Sequence, residues 1–381
     1  MRRCYFDNAA TTYRKPDGLY SHMAEYMLES GGNSGRGEYD SAVKSGRMIR
    51  ETRDLLLRLM HCQKDRETVF TPSATIALNI ILNGIPLARE DTVYISHFEH
   101  NAVTRVLFHL QKAIGFSIVY LDPDLDSFRY DTDTVRRQFQ AKKPRLVVLS
   151  HVSNVCGLIA PAEEISRLAK EYGAETITDA SQACGVIDLD LRYIDYYVFA
   201  GHKTLLASFG AAGFICRKNC SLKPFLYGGT GIDSANSGMP AAVPERFEAG
   251  SQNIMAIAGL NYSLEWILKT GTDAIFERES MLYKRLLRLL ENYPFIHIVA
   301  RPEEASAIVS CQFSGYAPDE VGRVLDHYGV SVRTGLHCAP LAHKFLGTFP
   351  EGTVRFSVSY FTEDADFEGL EEALDLFEEN M

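Results

Sequence analysis

Residues 175–203 read ETITDASQACGVIDLDLRYIDYYVFAGHK, and how this stretch is read decides the fold. Two short runs in it, ETITD and DYYVFA, are rich in β-branched and aromatic residues, the second apolar on both sides. Strands of that kind belong in a sheet covered on both faces. Each run stops in small, polar residues, TDASQACG and AGHK. The same rhythm extends outward. ETVF, DTVYIS, FSIVYL and RLVVLS read as strands before it and AGFICR as one after it. SATIALNIILNGI, NAVTRVLFHLQKAI and AEEISRLAKEYG read as the intervening helices. Strand–helix alternation predicts a mostly parallel sheet between helices from about Glu67 to Cys216. Ligands gather at the carboxyl ends of such strands, so a site is expected at TDASQACG and AGHK.

Beyond Arg217 comes a Gly- and Ser-rich loop, LYGGTGIDSANSGMPAAVPERFEAGSQN, long for a connection inside one domain and therefore expected to serve function or an interface. Helical patterns follow at about Ile254–Lys269 and Asp273–Asn292. The chain then restarts as a smaller α/β unit: FIHIVA, AIVSCQF, a helix at about Ala317–His327, GVSVRTG, GTVRFSVSYF and a closing acidic helix. With 381 residues, 46% of them hydrophobic, about two domains are expected. The division near Gly259 gives a large domain of residues 15–258 and a small one of residues 1–14 and 259–381.

A net charge of −10, with basic residues in VRRQF and YKRLLRLL at solvated helix faces, argues against a nucleic-acid partner. No apolar run approaches the roughly 18 residues of a membrane span. MRRCYFDNAATT has no apolar stretch of signal-peptide length behind its arginines. Eight scattered cysteines fit reduced thiols, and a cytoplasmic location is expected. No CxxC or HExxH occurs, and His97 and His100 in SHFEH lack a pattern of further ligands, so no metal site is expected.

Lys203, between His202 and a small-residue run, has the chemistry of a Schiff-base lysine, which needs an electron sink. Pyridoxal 5′-phosphate is the common one. It asks for an acid at its ring nitrogen, a partner for its phenolate oxygen, a stacking ring and a phosphate cradle. Asp179 can be the acid, although a carboxylate there also caps a turn. Gln182 can serve the phenolate. TPSATIALN is a cradle, with Ala74 and Thr75 opening a helix whose N–H groups and dipole favour an anion; Ser73 serves equally as a plain cap. His100 can stack on a ring or cap the next helix.

In this order and at these strand ends, the motifs resemble the class V aminotransferase group of fold-type I pyridoxal-phosphate enzymes, nearest to cysteine desulfurases and selenocysteine lyases. YFDNAATT, SATIALN, FEHNAV, HVSNVCG, TDASQACG, AGHK, FEAGSQN and RTGLHCAP carry the resemblance over nearly the whole chain. It implies that Lys203 holds the cofactor, with His202, Thr75 and the backbone at Ala74 on its phosphate. It further implies Asp179 and Gln182 on the ring and His100 stacked on it. Ser251 stands where the family has a threonine reaching the neighbouring subunit's phosphate, which implies a homodimer with shared sites. Asn154 and Arg333 would lie beside the substrate and Arg355 would clamp its carboxylate, while Arg333 and His337, near the loop cysteine in sequence, are candidates to lower its pKa. Cys338 matches the mobile-loop cysteine that takes sulfur from L-cysteine as a persulfide, releases alanine and passes the sulfur to an acceptor; a thiolate is an exceptional nucleophile toward sulfur.

Three departures stand out. Ala200 replaces the serine of SGHK, ASFG replaces a glycine–proline after the lysine, and the segment from Cys338 to Arg355 is short. They leave the sulfur acceptor open among a scaffold protein, a carrier and a small thiol. L-Selenocysteine remains an alternative substrate. An aminotransferase or epimerase acting on another amino acid is the alternative activity, and a non-catalytic interaction protein has no need of Lys203, Asp179 and Arg355 together.

Overall fold

A computed structural model describes residues 3–34, 37–62, 64–232 and 235–380. Among them a large sheet runs in the order β2 (Arg66–Thr71), β8 (Ala212–Arg217), β7 (Tyr196–Ala200), β6 (Glu175–Asp179), β5 (Leu146–Ser150), β3 (Thr92–Ile95) and β4 (Ser117–Tyr120). Every pairing from β7 to β4 is parallel, while β8 is antiparallel to both its neighbours. The expected sheet is therefore present, with one reversed strand that the apolar pattern of AGFICR could not reveal.

All five residues of β7 are buried, and alternate ones serve different faces. Tyr197 and Phe199 pack with α2 (Asp40–Leu59), α5 (Thr132–Ala141), α6 (Ala162–Glu171) and α7 (Ile254–Thr270). Tyr196 and Val198 pack on the other side with α3 (Ala74–Gly84) and α4 (Asn101–Ile114). Each such side chain contributes about 1.5–3 kcal/mol by leaving water. That double burial is why the run lacks the apolar–polar alternation of a half-exposed strand.

The smaller sheet is antiparallel, in the order β12 (Arg333–Gly335), β13 (Thr353–Ser357), β10 (Ile308–Phe313) and β9 (Ile296–Ile298). Helices α8 (Thr272–Glu291), α9 (Pro318–His327) and α11 (Asp364–Glu379) share its core, and α10 (Pro340–Phe345) follows β12. Strand β1 (Cys4–Tyr5) pairs in parallel with β11 (Val330–Ser331), so the N-terminus belongs to this second core, where Phe6 is fully buried.

The division expected near Gly259 falls inside α7. Leu264 and Ile267 of that helix lie in the first core, and Gly259 itself faces α1 (Leu19–Ser30), where a Cβ would meet the Met23 sulfur at 2.7 Å. We propose instead that the units divide at Gly271, between α7 and α8. No helix among the described residues is long and apolar enough to cross a membrane. No disulfide joins any of the eight cysteines, all of them among the described residues.

Candidate active site

Strands β5, β6 and β7 end at Ser150, Asp179 and Ala200, and all three residues line one cavity of about 210 Å³. Ala74, Thr75, His100, Asn154, Gln182, His202, Lys203, Arg333, Cys338 and Arg355 line it too. Eleven of the twelve residues that the sequence nominated are thus brought to one space. Ser251 is not: it lies exposed in the long loop and borders a different cavity with Arg50, Arg53 and Thr230.

Lys203 sits in the turn after β7. Desolvation lowers its amine from the ordinary 10.5 to about 8, with Arg355 and Arg333 adding to the shift and the Asp179 carboxylate opposing it. An amine in that range is partly neutral at physiological pH and so nucleophilic. Its turn is gripped by the N-terminal segment. The His202 carbonyl accepts from Thr11 Oγ1 at 3.0 Å, the Thr12 N–H at 3.2 Å and Lys15 Nζ at 2.9 Å. The Lys203 carbonyl accepts from Thr12 Oγ1 at 2.9 Å. Burial pushes Lys15 down to about 7. The His202 ring stacks on Phe209 at 4.5 Å, burial pushes it to about 4, and its Nδ1 has no partner among the described residues.

Asp179 Oδ1 accepts from the Ser181 N–H at 3.0 Å and Ser181 Oγ at 2.6 Å, so the turn-capping role is real and coexists with a place on the cavity wall. Gln182 Nε2 donates to the Ala9 carbonyl at 2.7 Å, which ties the cavity floor to the N-terminal segment. Ser73 caps α3 by accepting from the Ile76 N–H at 3.3 Å. The N–H groups of Ala74 and Thr75 lie in the first turn, where a helix has no internal partner for them. His100 caps α4, its Nδ1 accepting from the Ala102 N–H at 3.0 Å. The ring proton therefore resides on Nε2, and burial, with Lys203 beside it, holds the imidazole neutral with its pKa near 4.

Arg355 rises from β13, only 2% exposed. It donates to the Asn154 carbonyl and to Asp7 Oδ1, each at 2.8 Å, while its Nε is buried without a partner among the described residues. A desolvated guanidinium with an open N–H is suited to an incoming carboxylate. Asn154 in turn donates from Nδ2 to the His337 carbonyl at 2.7 Å.

Cys338 is exposed and lines the same cavity as Lys203. His337 and Cys338 have φ of 46° and 57°, a left-handed pair of non-glycine residues that kinks the loop. The kink is held because the Cys338 carbonyl accepts from the Asn101 N–H at 2.7 Å, at the start of α4. Arg333 reaches the Cys338 sulfur at 3.9 Å. His337 does not serve that sulfur: its ring is buried, 2.8 Å from Thr353 Oγ1 through Nε2 and 5.3 Å from the His343 ring. Burial and the nearby Arg355 drive it far below the imidazole range, so it brings no positive charge to the thiol.

Two residues at the site carried no role in the sequence reading. Asp7 lies in the quoted YFDNAATT, but nothing local says that it meets an arginine 348 positions away. Glu99, fully buried, accepts from Ser96 Oγ at 2.7 Å, the Ser150 N–H at 2.8 Å and Ser150 Oγ at 2.9 Å, and so ties the end of β5 to the residue before His100. A glutamate directly preceding a candidate cavity histidine was the signal available.

Residues 4–370 match a family model described as aminotransferase class-V. The chain is 30% identical to a probable cysteine desulfurase of Methanothermobacter thermautotrophicus, over 97% of this chain and 94% of that protein. A probable cysteine desulfurase of Treponema pallidum is also 30% identical, with 97% and 93% covered. Among solved structures, the apo cysteine desulfurase of Thermococcus onnurineus NA1 superposes with a TM-score of 0.90 at 26% identity, covering all of this chain and 95% of that one. The cysteine desulfurase CsdA of Escherichia coli shares the fold, with a TM-score of 0.87 at 23% identity, covering 100% of this chain and 95% of that one.

Proposed function

The chain belongs to the class-V aminotransferase family, and from that premise we propose that it is a pyridoxal-phosphate-dependent cysteine desulfurase that converts L-cysteine to L-alanine and keeps the sulfur on Cys338. The observation that carries this reading is the position of Cys338: an exposed thiol on the rim of the cavity that holds Lys203, with a guanidinium 3.9 Å from its sulfur.

The residues fit the cofactor. A desolvated amine at Lys203, a carboxylate at Asp179, open N–H groups at the start of α3 and an unpartnered His202 Nδ1 surround one cavity. Lys203 would hold it, Asp179 its ring nitrogen, Gln182 its phenolate and His100 its ring face, with Ala74, Thr75 and His202 on the phosphate. When bound, pyridoxal phosphate supplies an electron sink for negative charge at the substrate α-carbon.

Arg355 binds the substrate carboxylate, pre-aimed by Asp7 and the Asn154 carbonyl, and Asn154 lines the wall beside it. Lys203 takes the α-proton and returns a proton to carbon. Cys338 attacks the substrate sulfur as a thiolate: an S–S bond forms while the C–S bond breaks, and the electron pair of that bond stays with carbon. Atoms balance as L-cysteine plus the Cys338 thiol giving L-alanine plus the Cys338 persulfide, from which an acceptor takes the outer sulfur. Arg333 steadies the charge on sulfur. L-Selenocysteine presents the same contacts and is the alternative substrate.

Ser251 enters as a contribution from a second copy. Phe225, Leu226, Tyr227 and Met255 are exposed apolar side chains along or beside the same loop, which supports a homodimer that covers them. Eight cysteines without a disulfide among them support a reducing compartment, taken here as the cytoplasm.

The test is incubation of the purified protein with L-cysteine, measuring alanine and sulfide together, for the native chain and for Cys338→Ala. The native chain should form alanine in step with releasable sulfur. The variant should keep its cofactor absorbance and form almost no alanine; alanine at the native rate would remove the persulfide step.

A further inference from the structure

Cys216 and Cys220 stand on either side of the turn that leaves β8, their Sγ atoms 4.0 Å apart. Cys216 is fully buried, fixed in a strand whose register sets it opposite Glu67 on one side and Tyr196 on the other. Cys220 is half-buried, and its N–H closes the turn on the Arg217 carbonyl at 3.1 Å. The other buried thiols have different company: Cys156 meets Ser153 Oγ and Cys184 meets the Met60 thioether. The Cys216 end of β8 is the far end of the sheet from Lys203, because Ala212, not Cys216, pairs with Ala200.

We propose that Cys216 and Cys220 form a reversible redox dithiol, a second sulfur site separate from Cys338, which closes to a disulfide when Cys220 meets a hydroperoxide. A disulfide needs the two sulfurs at about 2.05 Å. One of the pair is on a turn, whose side chain rotates without disturbing the ladder, so the remaining gap of about 2 Å closes from one side. Charge also favours this division of labour. The shared S–H···S contact lowers the Cys220 thiol and raises Cys216, and Arg246, whose guanidinium donates to the Cys220 carbonyl at 3.0 Å, helps to hold a negative sulfur there. The half-exposed thiol is therefore the nucleophile, and the buried one resolves it.

The chemistry balances in two steps. The Cys220 thiolate attacks the hydroperoxide, an S–O bond forms, the O–O bond breaks and the oxygen leaving group departs, leaving a sulfenic acid. The Cys216 sulfur then attacks the sulfenic sulfur, an S–S bond forms, the S–O bond breaks, and hydroxide leaves as water with the Cys216 proton. Closing so short a loop removes little chain entropy, so this bond is easily reduced again rather than a structural staple. It sits at the root of the loop that carries Ser251: Arg246 joins the Cys220 carbonyl to the Ala241 carbonyl across that loop.

The purified full-length protein is treated with hydrogen peroxide at neutral pH, alkylated with iodoacetamide and digested with trypsin, which cuts after Arg217 and Lys218, between the two cysteines. The expected result is a pair of linked peptides, one holding each cysteine, two hydrogens lighter than their sum and parted by a reductant. In Cys220→Ser the linked pair is absent and Cys216 is alkylated after unfolding. The proposal is overturned if both cysteines are still separately alkylated once Cys338 has been oxidised, or if Cys220 is found joined to any cysteine other than Cys216. The native-chain measurement stands by itself if a variant fails to fold.

Discussion

Arg333 and Arg355 stand directly opposite each other in the antiparallel pair of β12 and β13, two guanidinium groups on one face of the small sheet. Like charges in that position repel: burial lowers the pKa of Arg355, and Arg333 adds to the shift. Different partners separate them. Arg355 is tied down by Asp7 and the Asn154 carbonyl, whereas Arg333 extends to the Cys338 sulfur. One arginine faces a carboxylate, the other a sulfur, and the predictions below follow from that division.

Arg355→Lys keeps a positive charge but loses the fork. Breaking a buried, hydrogen-bonded charge contact costs about 2–5 kcal/mol. At about 1.4 kcal/mol per tenfold, kcat/KM for L-cysteine should fall roughly 30- to 3000-fold, mainly through KM. Asp7→Asn should give a smaller rise in KM. Steady-state kinetics with unchanged KM in Arg355→Lys would remove the carboxylate role.

Arg333→Met should leave KM near native and slow the alkylation of Cys338 by iodoacetamide at pH 7. Ion contacts at exposed sites are worth about 0.2–1 kcal/mol, so the expected slowing is at most about fivefold. His337→Asn should not slow it, since that ring faces Thr353. The opposite ranking of the two variants would reverse the assignment.

Lys203 should react with added pyridoxal phosphate in a pH-dependent way set by its neutral fraction. Because burial lowers the amine to about 8, the rate for cofactor-free protein should rise as pH passes through about 8 and level off above it. An exposed lysine would show its rise near 10.5. Absorbance of the adduct follows the reaction, and Lys203→Ala should form no adduct that borohydride can fix.

Glu99 should make stability depend on pH with a definite sign. Burial raises its carboxyl from 4.5 to about 7, so the folded state binds the proton more tightly. Its contribution is fully present below about pH 4.5 and is lost as pH rises through 7. The buried imidazoles His151 and His202, held near 4, act with the opposite sign over much of the same range. The difference between native protein and Glu99→Gln therefore isolates the carboxyl. Urea midpoints at pH 5 and pH 7.5 should show the native chain losing stability relative to the variant at the higher pH. Glu99→Ala leaves the Ser150 donors buried and open, at about 1–3 kcal/mol.

Hybrid dimers test Ser251. If it serves the partner's site, mixing Lys203→Ala with Ser251→Ala chains rebuilds one complete site per hybrid: the intact Lys203 lies in the Ser251→Ala chain and receives Ser251 from the other. Cofactor affinity measured in the hybrid should return to the native value. Affinity that stays at the level of the Ser251→Ala homodimer would place the serine within its own site.

Local pattern was enough for the strands because burial on both faces leaves a mark on every residue of a run such as YYVFA, and for α4 because its cap and its terminal Gly115 are read within fifteen positions. The same local reading found TDASQACG and AGHK, since residues at strand ends are placed by the strands themselves. It stopped at three points. The reversal of β8 changes neither composition nor period. The helix α7 joins the large core through Leu264 and Ile267, which a helical pattern cannot announce.

His337 shows the third point most clearly. Sequence sets it beside Cys338, yet with the left-handed pair at 337 and 338 one ring is buried against Thr353 and His343 while the other side chain stays exposed at the cavity rim. What the sequence alone determined is the sheet, the chemical kinds gathered at its carboxyl edge and the family they resemble. What only the tertiary structure decided is which groups face one another: Asp7 with Arg355 and Arg333 with Cys338. Those contacts depend on ladder register and on how two cores meet around an N-terminal segment that runs from β1 to the Lys203 turn, and neither leaves a trace in local periodicity.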